Sequence, residues 1–383
     1  MKLLFVTGSL VHGGAERHTI TLANRLAERG HECHLAYVQN DPSQLERLRG
    51  ARSVQCLHAR RYIDLQALRK LGELIGRVQP SAVLAVNQYA LLYASAALGW
   101  PRARAPLAVT FHSTFTRGAK ERLQMVAYRP LFWAADCAVF VCERQRDHWR
   151  RRMVFGRRNE VIYNGVDTEH WRAVSEREAA VLRRMLGFAA EDLVIGMSAV
   201  LRPEKNHAQL VEAVSALRKR GVRARALMIG DGATRPAVEA LAARLRVGEQ
   251  VHITGLQADV RPFIAACDVL ALTSFTEAFS LAAIEAMAMA RPVVHADVGG
   301  AAEMIRHREN GLLFPVGDTA ALVDCLALLA DRTVRQRMGS SARLVVENRF
   351  SERVMIERYE VLLRELETER SKRANIRRAA GAH

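Results

Sequence analysis

Acidic residues are in short supply. The chain has 40 Asp and Glu against 56 Lys and Arg, a formal net charge of +16. An excess of that size fits nucleic acid, an anionic membrane surface, or a merely Arg-rich exterior. No RRM, zinc-finger or other nucleic-acid motif accompanies it, so nucleic acid is not expected as a partner. The six cysteines (33, 56, 137, 142, 267 and 325) form no Cys-x-x-Cys pair. Neither a zinc site nor a disulfide framework is indicated, and free thiols in a cytoplasmic protein are expected. Long apolar runs are missing too. Asp136 interrupts Pro130 to Cys142, and Tyr89 to Trp100 is too short to span a bilayer. Finally, Gly8-x4-Gly13-Gly14 is not the dinucleotide G-x-G-x-x-G, so a bound nicotinamide or flavin cofactor is not supported.

What is present is length and apolar content. A chain of 383 residues, half of them hydrophobic, can build two cores. Lys2 to Thr7 reads as a first strand rather than a leader, because Thr7-Gly8-Ser9 ends the apolar run. A glycine-bearing loop, a helix from Ala15 to Arg29 and a strand from Glu32 to Val38 complete a βαβ opening. Short strands are then expected at 82–87, 107–111, 137–141 and 159–163, with helices at Arg117–Ala135 and 142–152. Asn164-Gly-Val-Asp167 is strong turn chemistry and marks a boundary before Glu191. Beyond it the rhythm resumes, with strands at 193–200, 224–229, 251–254 and 268–272.

The most informative stretch is Thr273-Ser-Phe-Thr-Glu277-Ala-Phe-Ser-Leu-Ala-Ala-Ile-Glu285, running on to Ala290. It follows a short buried strand and ends in strong helix formers, which puts Glu277 in a strand-to-helix loop and Glu285 about two turns into the helix. Such loops lie where open α/β sheets bind ligands. The amides of Phe279, Ser280 and Leu281 would form an anion site at the helix start. Carboxylates flanking an anion site suit a ligand with many hydroxyls and a negative charge, as a sugar nucleotide is.

Glu277 to Glu285, then Arg291-Pro-Val-Val294, Gly299-Gly300-Ala-Ala-Glu303 and Asn310-Gly-Leu-Leu-Phe-Pro315 resemble, in order and spacing, family 4 of the retaining glycosyltransferases of GT-B fold. The resemblance implies two Rossmann-like, doubly wound α/β domains facing across a cleft, with a final helix crossing back to the first domain. On that pattern residues 1–170 form the acceptor-side domain, 171–350 the nucleotide-sugar domain and 351–369 the returning helix; 370–383 is a basic tail, and its stretch Arg370–Arg378, with five basic residues and no acid, is expected to be disordered. It implies retaining transfer of a hexosyl or N-acetylhexosaminyl group from a nucleoside diphosphate sugar, UDP before GDP or ADP, to a glycan or lipid-linked acceptor. No other cofactor is implied, and the lack of an Asp-x-Asp beside the phosphate loop suggests metal independence.

The same resemblance assigns roles. Glu285 would bind ribose hydroxyls and Glu277 the donor sugar. Lys205, Arg202 and the amides of Phe279, Ser280 and Leu281 would hold the diphosphate. Main chain at Gly255 and Leu256 would meet the base. Gly13 and Gly14 would approach the donor phosphates or the acceptor, and His112 would lie near the transferred sugar. Two positions depart from the family: Val200 stands where an Arg is common, and Ala290 stands where Gly is usual, a change expected to affect packing only. A sugar-nucleotide epimerase of the same fold and a non-catalytic basic binding protein are the alternatives.

Charge is also uneven. Arg117 to Arg158 carries eleven basic and four acidic residues, interleaved with Met125, Tyr128, Phe132, Trp133, Trp149 and Phe155. That mixture suggests peripheral contact with anionic lipid at the inner membrane face, set against a solvated basic surface with the aromatics in the core.

Overall fold

The computed structural model describes residues 1–11, 13–99, 105–113, 118–172 and 176–380, with backbone alone at 176 and from 373 onward. The chain divides into two compact units. The first comprises Met1–Tyr163 together with the segment from Met355, and the second is Asn164–Val354.

The first unit holds a seven-stranded parallel sheet built from β1 (Lys2–Thr7), β2 (Glu32–Tyr37), β3 (Ala51–Cys56), β4 (Ala82–Val86), β5 (Leu107–Phe111), β6 (Cys137–Phe140) and β7 (Arg158–Val161). Its order is β3-β2-β1-β4-β5-β6-β7, so the winding reverses between β1 and β4. Alternation along β1 explains the two cores. Leu4 and Val6 pack on one face with Leu71, Val83 and Phe111. Leu3 and Phe5 pack on the other with Leu26, Leu84 and the terminal helix.

That helix, Glu352–Ala380, buries Met355, Ile356, Tyr359, Leu362, Leu363 and Leu366 against the first unit's sheet. The spacing is a helical stripe, and each such side chain contributes about 1.5–3 kcal/mol of gross burial energy. Glu360 anchors it from the polar side. Burial alone would raise this carboxyl, but hydrogen bonds from Arg364, His31 and Arg29 outweigh it and hold the group down at about 2. The helix does not stop at Glu369. It runs through Arg370–Arg378, which the sequence suggested would be disordered, because Arg, Lys and Ala extend a helix that is already nucleated. The last three residues of the expected tail lie outside the described residues, as does Arg117, the expected start of the helix that is described as Ala119–Ala134.

The second unit holds β8 (Leu193–Ser198), β9 (Ala224–Ile229), β10 (Val251–Ile253), β11 (Val269–Leu272), β12 (Val293–Ala296) and β13 (Leu312–Phe314). This parallel sheet runs β10-β9-β8-β11-β12-β13 and reverses between β8 and β11. Both units are thus doubly wound and Rossmann-like. Among the described residues, no helix is long and apolar enough to cross a membrane.

Candidate active site

In the second unit, the loops after β8 and β11 border the reversal of strand order, the place where open α/β sheets bind ligands. They are stitched together. Thr273 is fully buried, its hydroxyl 3.1 Å from the Lys205 carbonyl and 2.8 Å from that of Asn206. The Phe275 amide donates to the Glu204 carbonyl at 2.9 Å. This brace delivers Lys205 to Glu277, and the two side chains form an ion pair. Ser274 donates its hydroxyl to the same Glu277 oxygen at 3.0 Å. An ammonium and a carboxylate held at a switch point can each be recruited by a ligand carrying both phosphate and hydroxyls.

The Glu277 loop is fixed from below by Gly299, at φ 52°. A side chain there would run into the Glu277 and Ala278 carbonyls, so only glycine lets the loops approach. The Gly300 amide then donates to the Ala278 carbonyl at 2.8 Å. Ser280 caps the following helix, Leu281–Ala288, its hydroxyl accepting from the Ala283 amide at 3.3 Å. Phe279 is buried with its ring 5.4 Å from that of Phe350. Glu285 is the fifth residue of this helix, just past its first turn rather than two turns in, because the helix begins only at Leu281. It is buried.

Arg202 is exposed at the head of the Lys205 turn. Gly255, at φ 72°, forms an isolated bridge with Gly230 beyond β10, and Leu256 beside it is 79% exposed. Ala290 sits at φ 56°, just after the helix. The departure from glycine therefore touches backbone conformation and not only packing, since an L-residue is strained in this left-handed region.

Two buried histidines flank Lys205, and neither stands out as a site residue in the sequence. His207 is pushed down to about 4 by burial and then by the Lys205 cation. His295, at the end of β12, is fully buried and lowered by burial first, and it also feels Glu277 and Lys205. Its Nδ1 lies 2.6 Å from the Ala296 carbonyl and must donate the proton, which leaves Nε2 a bare acceptor with no partner among the described residues. A lone histidine in Pro-Val-Val-His-Ala reads as core, and only position distinguishes it.

The first unit gathers a second group at the carboxyl ends of its own strands. His112 follows β5. Its amide donates to the Asn87 side-chain oxygen at 2.9 Å, and its Nε2 lies 3.1 Å from the Thr110 hydroxyl. Burial lowers it to about 4, so it is neutral at pH 7. The His18 ring stands edge-on, 4.7 Å away. His18 is buried, and both of its nitrogens lack partners among the described residues. Burial and then His112 hold it well below the usual imidazole range. It rides on the helix Gly14–Glu28, whose N-cap is Gly13. In the first turn of that helix, burial raises the Glu16 carboxyl. Gly13 is extended, and only the flexible Glu16 carboxylate would meet a side chain there. Tyr359 of the terminal helix completes the cluster, with its ring 5.3 Å from His18 and its hydroxyl 3.1 Å from that of Thr110. No group of three or more metal-ligating side chains occurs among the described residues.

Residues 180–345 match the family described as glycosyl transferases group 1, and residues 12–170 match Glycosyltransferase Family 4. Together the two matches support a glycosyltransferase of family 4, group 1. It is 30% identical to EpsD of Bacillus subtilis (strain 168) over 64% of this chain, but it spans only 65% of that relative's length. It is 27% identical to the lipopolysaccharide core biosynthesis glycosyltransferase LpsE of Rhizobium meliloti (strain 1021), over 92% of this chain and 96% of LpsE. In structure it resembles Anabaena Alr3699/HepE in complex with UDP. The TM-score there is 0.86 at 23% identity, covering 95% of this chain and 100% of the other. The fold shared with that neighbour is the GT-B fold.

Proposed function

We propose that the protein transfers a sugar from a nucleoside diphosphate sugar to a glycan or lipid-linked acceptor with retention at the anomeric carbon. The observation that carries this reading is the Lys205–Glu277 pair at the strand-order reversal of the second unit, with the helix N-terminus at Phe279–Leu281 beside it. On binding, the diphosphate takes over Lys205 and the amides of Phe279, Ser280 and Leu281, while Glu277 is freed for sugar hydroxyls. Glu285 holds the ribose, and main chain at Gly255 and Leu256 meets the base. Exposed Arg202 reaches toward the phosphates. Gly13 and Gly14 line the approach of donor or acceptor, and His112 contacts the transferred sugar. Lys205 and the amides stabilise charge on the departing diphosphate, and the acceptor attacks on the leaving-group face. No protein nucleophile is required.

UDP is the favoured nucleotide, supported by the UDP held by the Anabaena neighbour. LpsE, by name a lipopolysaccharide core biosynthesis glycosyltransferase, supports a role in cell-surface glycan synthesis. The test is a screen of UDP-, GDP- and ADP-sugars, read by thermal shift and by release of nucleoside diphosphate, with the product's anomeric configuration read by NMR. Transfer should persist in EDTA. Interconversion of the sugar nucleotide without acceptor would establish an epimerase instead, and no shift with any donor would leave a binding protein.

A further inference from the structure

Three neighbouring strands of the first unit end around His112. The residue follows β5, with β4 on one side and β6 on the other. Its amide is tied to the β4 side. Asn87, directly after β4, sits at φ 64°, a left-handed conformation that asparagine tolerates, and its side-chain oxygen accepts from the His112 amide at 2.9 Å. The carbonyls before and after His112 are tied to the β6 side. Gln145 Nε2 donates to the Phe111 carbonyl at 3.0 Å and to the Ser113 carbonyl at 3.2 Å, while its Oε1 accepts from the Val141 amide at 2.8 Å. We propose that Gln145 is a positioning residue that holds the His112 backbone in place, with Trp149 as its second anchor.

The helix that carries both, Glu143–Arg150, is otherwise polar and turned outward. Gln145 and Trp149 are its two buried residues, one turn apart and so on one face. Gln145 is fully buried, and a carboxamide there costs free energy unless it is hydrogen bonded. Here its oxygen and both N–H donors are used. The orientation is unambiguous, because the reverse would set the oxygen against two carbonyls and the NH2 against an amide donor. Val141 lies one residue past the last β5–β6 pair, Phe111 with Phe140, so the carboxamide joins the two strand ends as an added rung. Trp149 Nε1 also donates to the Ser113 carbonyl, at 2.8 Å. An apolar residue of equal volume would fill the same space and tie nothing to His112.

Being fully buried, Gln145 acts through His112 and not on a ligand. A misplacement of about 1 Å at a reacting contact costs up to about a hundredfold in rate. Asn87 and Trp149 keep part of the cradle when Gln145 is lost, so the expected cost is smaller.

The kinetic consequence rests on the transfer reaction and the His112 contact proposed above, whereas the anchoring does not. The experiment therefore reads both, on the full-length wild type, Gln145→Met and Trp149→Phe. Amide hydrogen exchange is resolved at single residues by mass spectrometry with electron-transfer fragmentation, well below each melting temperature. Gln145→Met removes three hydrogen bonds at similar volume, and exchange of the His112 amide should rise about tenfold or more while Leu107, Ala108 and Val109 of β5 stay within about twofold. Trp149→Phe removes one bond and should raise His112 exchange less, about threefold. With donor and acceptor, Gln145→Met should lower kcat about tenfold and leave the donor KM within about twofold. Unchanged His112 exchange in a folded Gln145→Met, a rise spread evenly over β5, or a larger rise in Trp149→Phe than in Gln145→Met overturns the proposal. Should Gln145→Met not fold, Trp149→Phe carries the test, and unchanged His112 exchange there overturns it. A rise at His112 without any loss of kcat upholds the anchoring and overturns the role given to His112 in transfer.

Discussion

Replacing Lys205 by alanine separates the electrostatic account of this site from a merely structural one. The ammonium is held against Glu277, with side-chain exposures of 26% and 15% for the two partners. A unit charge about 4 Å from a phosphate oxygen interacts by roughly 4 kcal/mol at an effective dielectric of about 20. A quarter-exposed ammonium is screened by water, which brings the usable part to about 3 kcal/mol. At about 1.36 kcal/mol per decade, that is about a hundredfold in turnover, within the range for loss of one preorganised donor. Stability should fall much less, by about 1 kcal/mol or below, because Glu277 keeps Ser274 and gains water. The assay is steady-state release of nucleoside diphosphate beside a thermal melt. A fall of less than threefold in turnover with an unchanged melt would refute the phosphate assignment. Equal losses in both would recast Lys205 as a structural cation.

Glu285→Gln should keep the fold and weaken affinity for free nucleoside diphosphate, measured by calorimetry; unchanged affinity removes it from the donor site. Ala290→Gly relieves a left-handed alanine and should stabilise by about 0.5–1 kcal/mol, a rise of about 2 °C in Tm. A lower Tm would contradict the strain. The depressed Glu360 carboxyl contributes stability that is complete above its ordinary range near 4.5 and is lost as pH falls toward about 2. Glu360→Gln should flatten that acid limb in chemical denaturation, and an unaltered slope would mean another group carries it. For the membrane, binding to vesicles should rise with anionic lipid, fall with salt, and weaken when Arg150, Arg151 and Arg152 become Glu. Equal pelleting with neutral and anionic vesicles, or none, would leave a soluble acceptor.

The vesicle prediction survives in altered form. Met125, Tyr128, Phe132 and Trp149 are buried in the first unit's core, as the competing reading of the sequence had it. Trp133, Leu123, Val126 and Met153 are the exposed apolar side chains of this region, with Arg150, Arg151 and Arg152 exposed beside Met153. Any shallow apolar contact therefore runs through Trp133 and aliphatic groups rather than through an aromatic series.

The loop carrying Glu277 and the helix start after it were legible because their parts are local. A strand, a loop with a carboxylate and a helix start lie within one short stretch, so spacing alone places Glu277 in the loop and Ser280 at the helix start, and puts Glu285 in the helix but one turn too deep. The doubly wound rhythm was legible for the same reason, through apolar runs ending in glycine loops. The strand Ala51–Cys56 was not, because it sits at a sheet edge with polar Arg52 and Gln55, and none of its six residues is fully buried. The Thr110–Tyr359 contact joins residues 249 apart. No periodicity encodes such a meeting, and a lone histidine such as His18 or His295 looks the same whether it is core or site.

The terminal helix has a consequence for synthesis. A ribosome that has released everything up to Val354 has delivered the whole second unit but left one face of the first unit's sheet only partly covered, by the helix Gly14–Glu28. Leu3, Phe5 and Leu84 then await Met355 to Leu366. The first unit is thus completed only after the whole second unit has been made. A premature stop beyond Phe350 would spare the second unit's sheet and its Lys205–Glu277 pair while leaving the first unit's core unfinished.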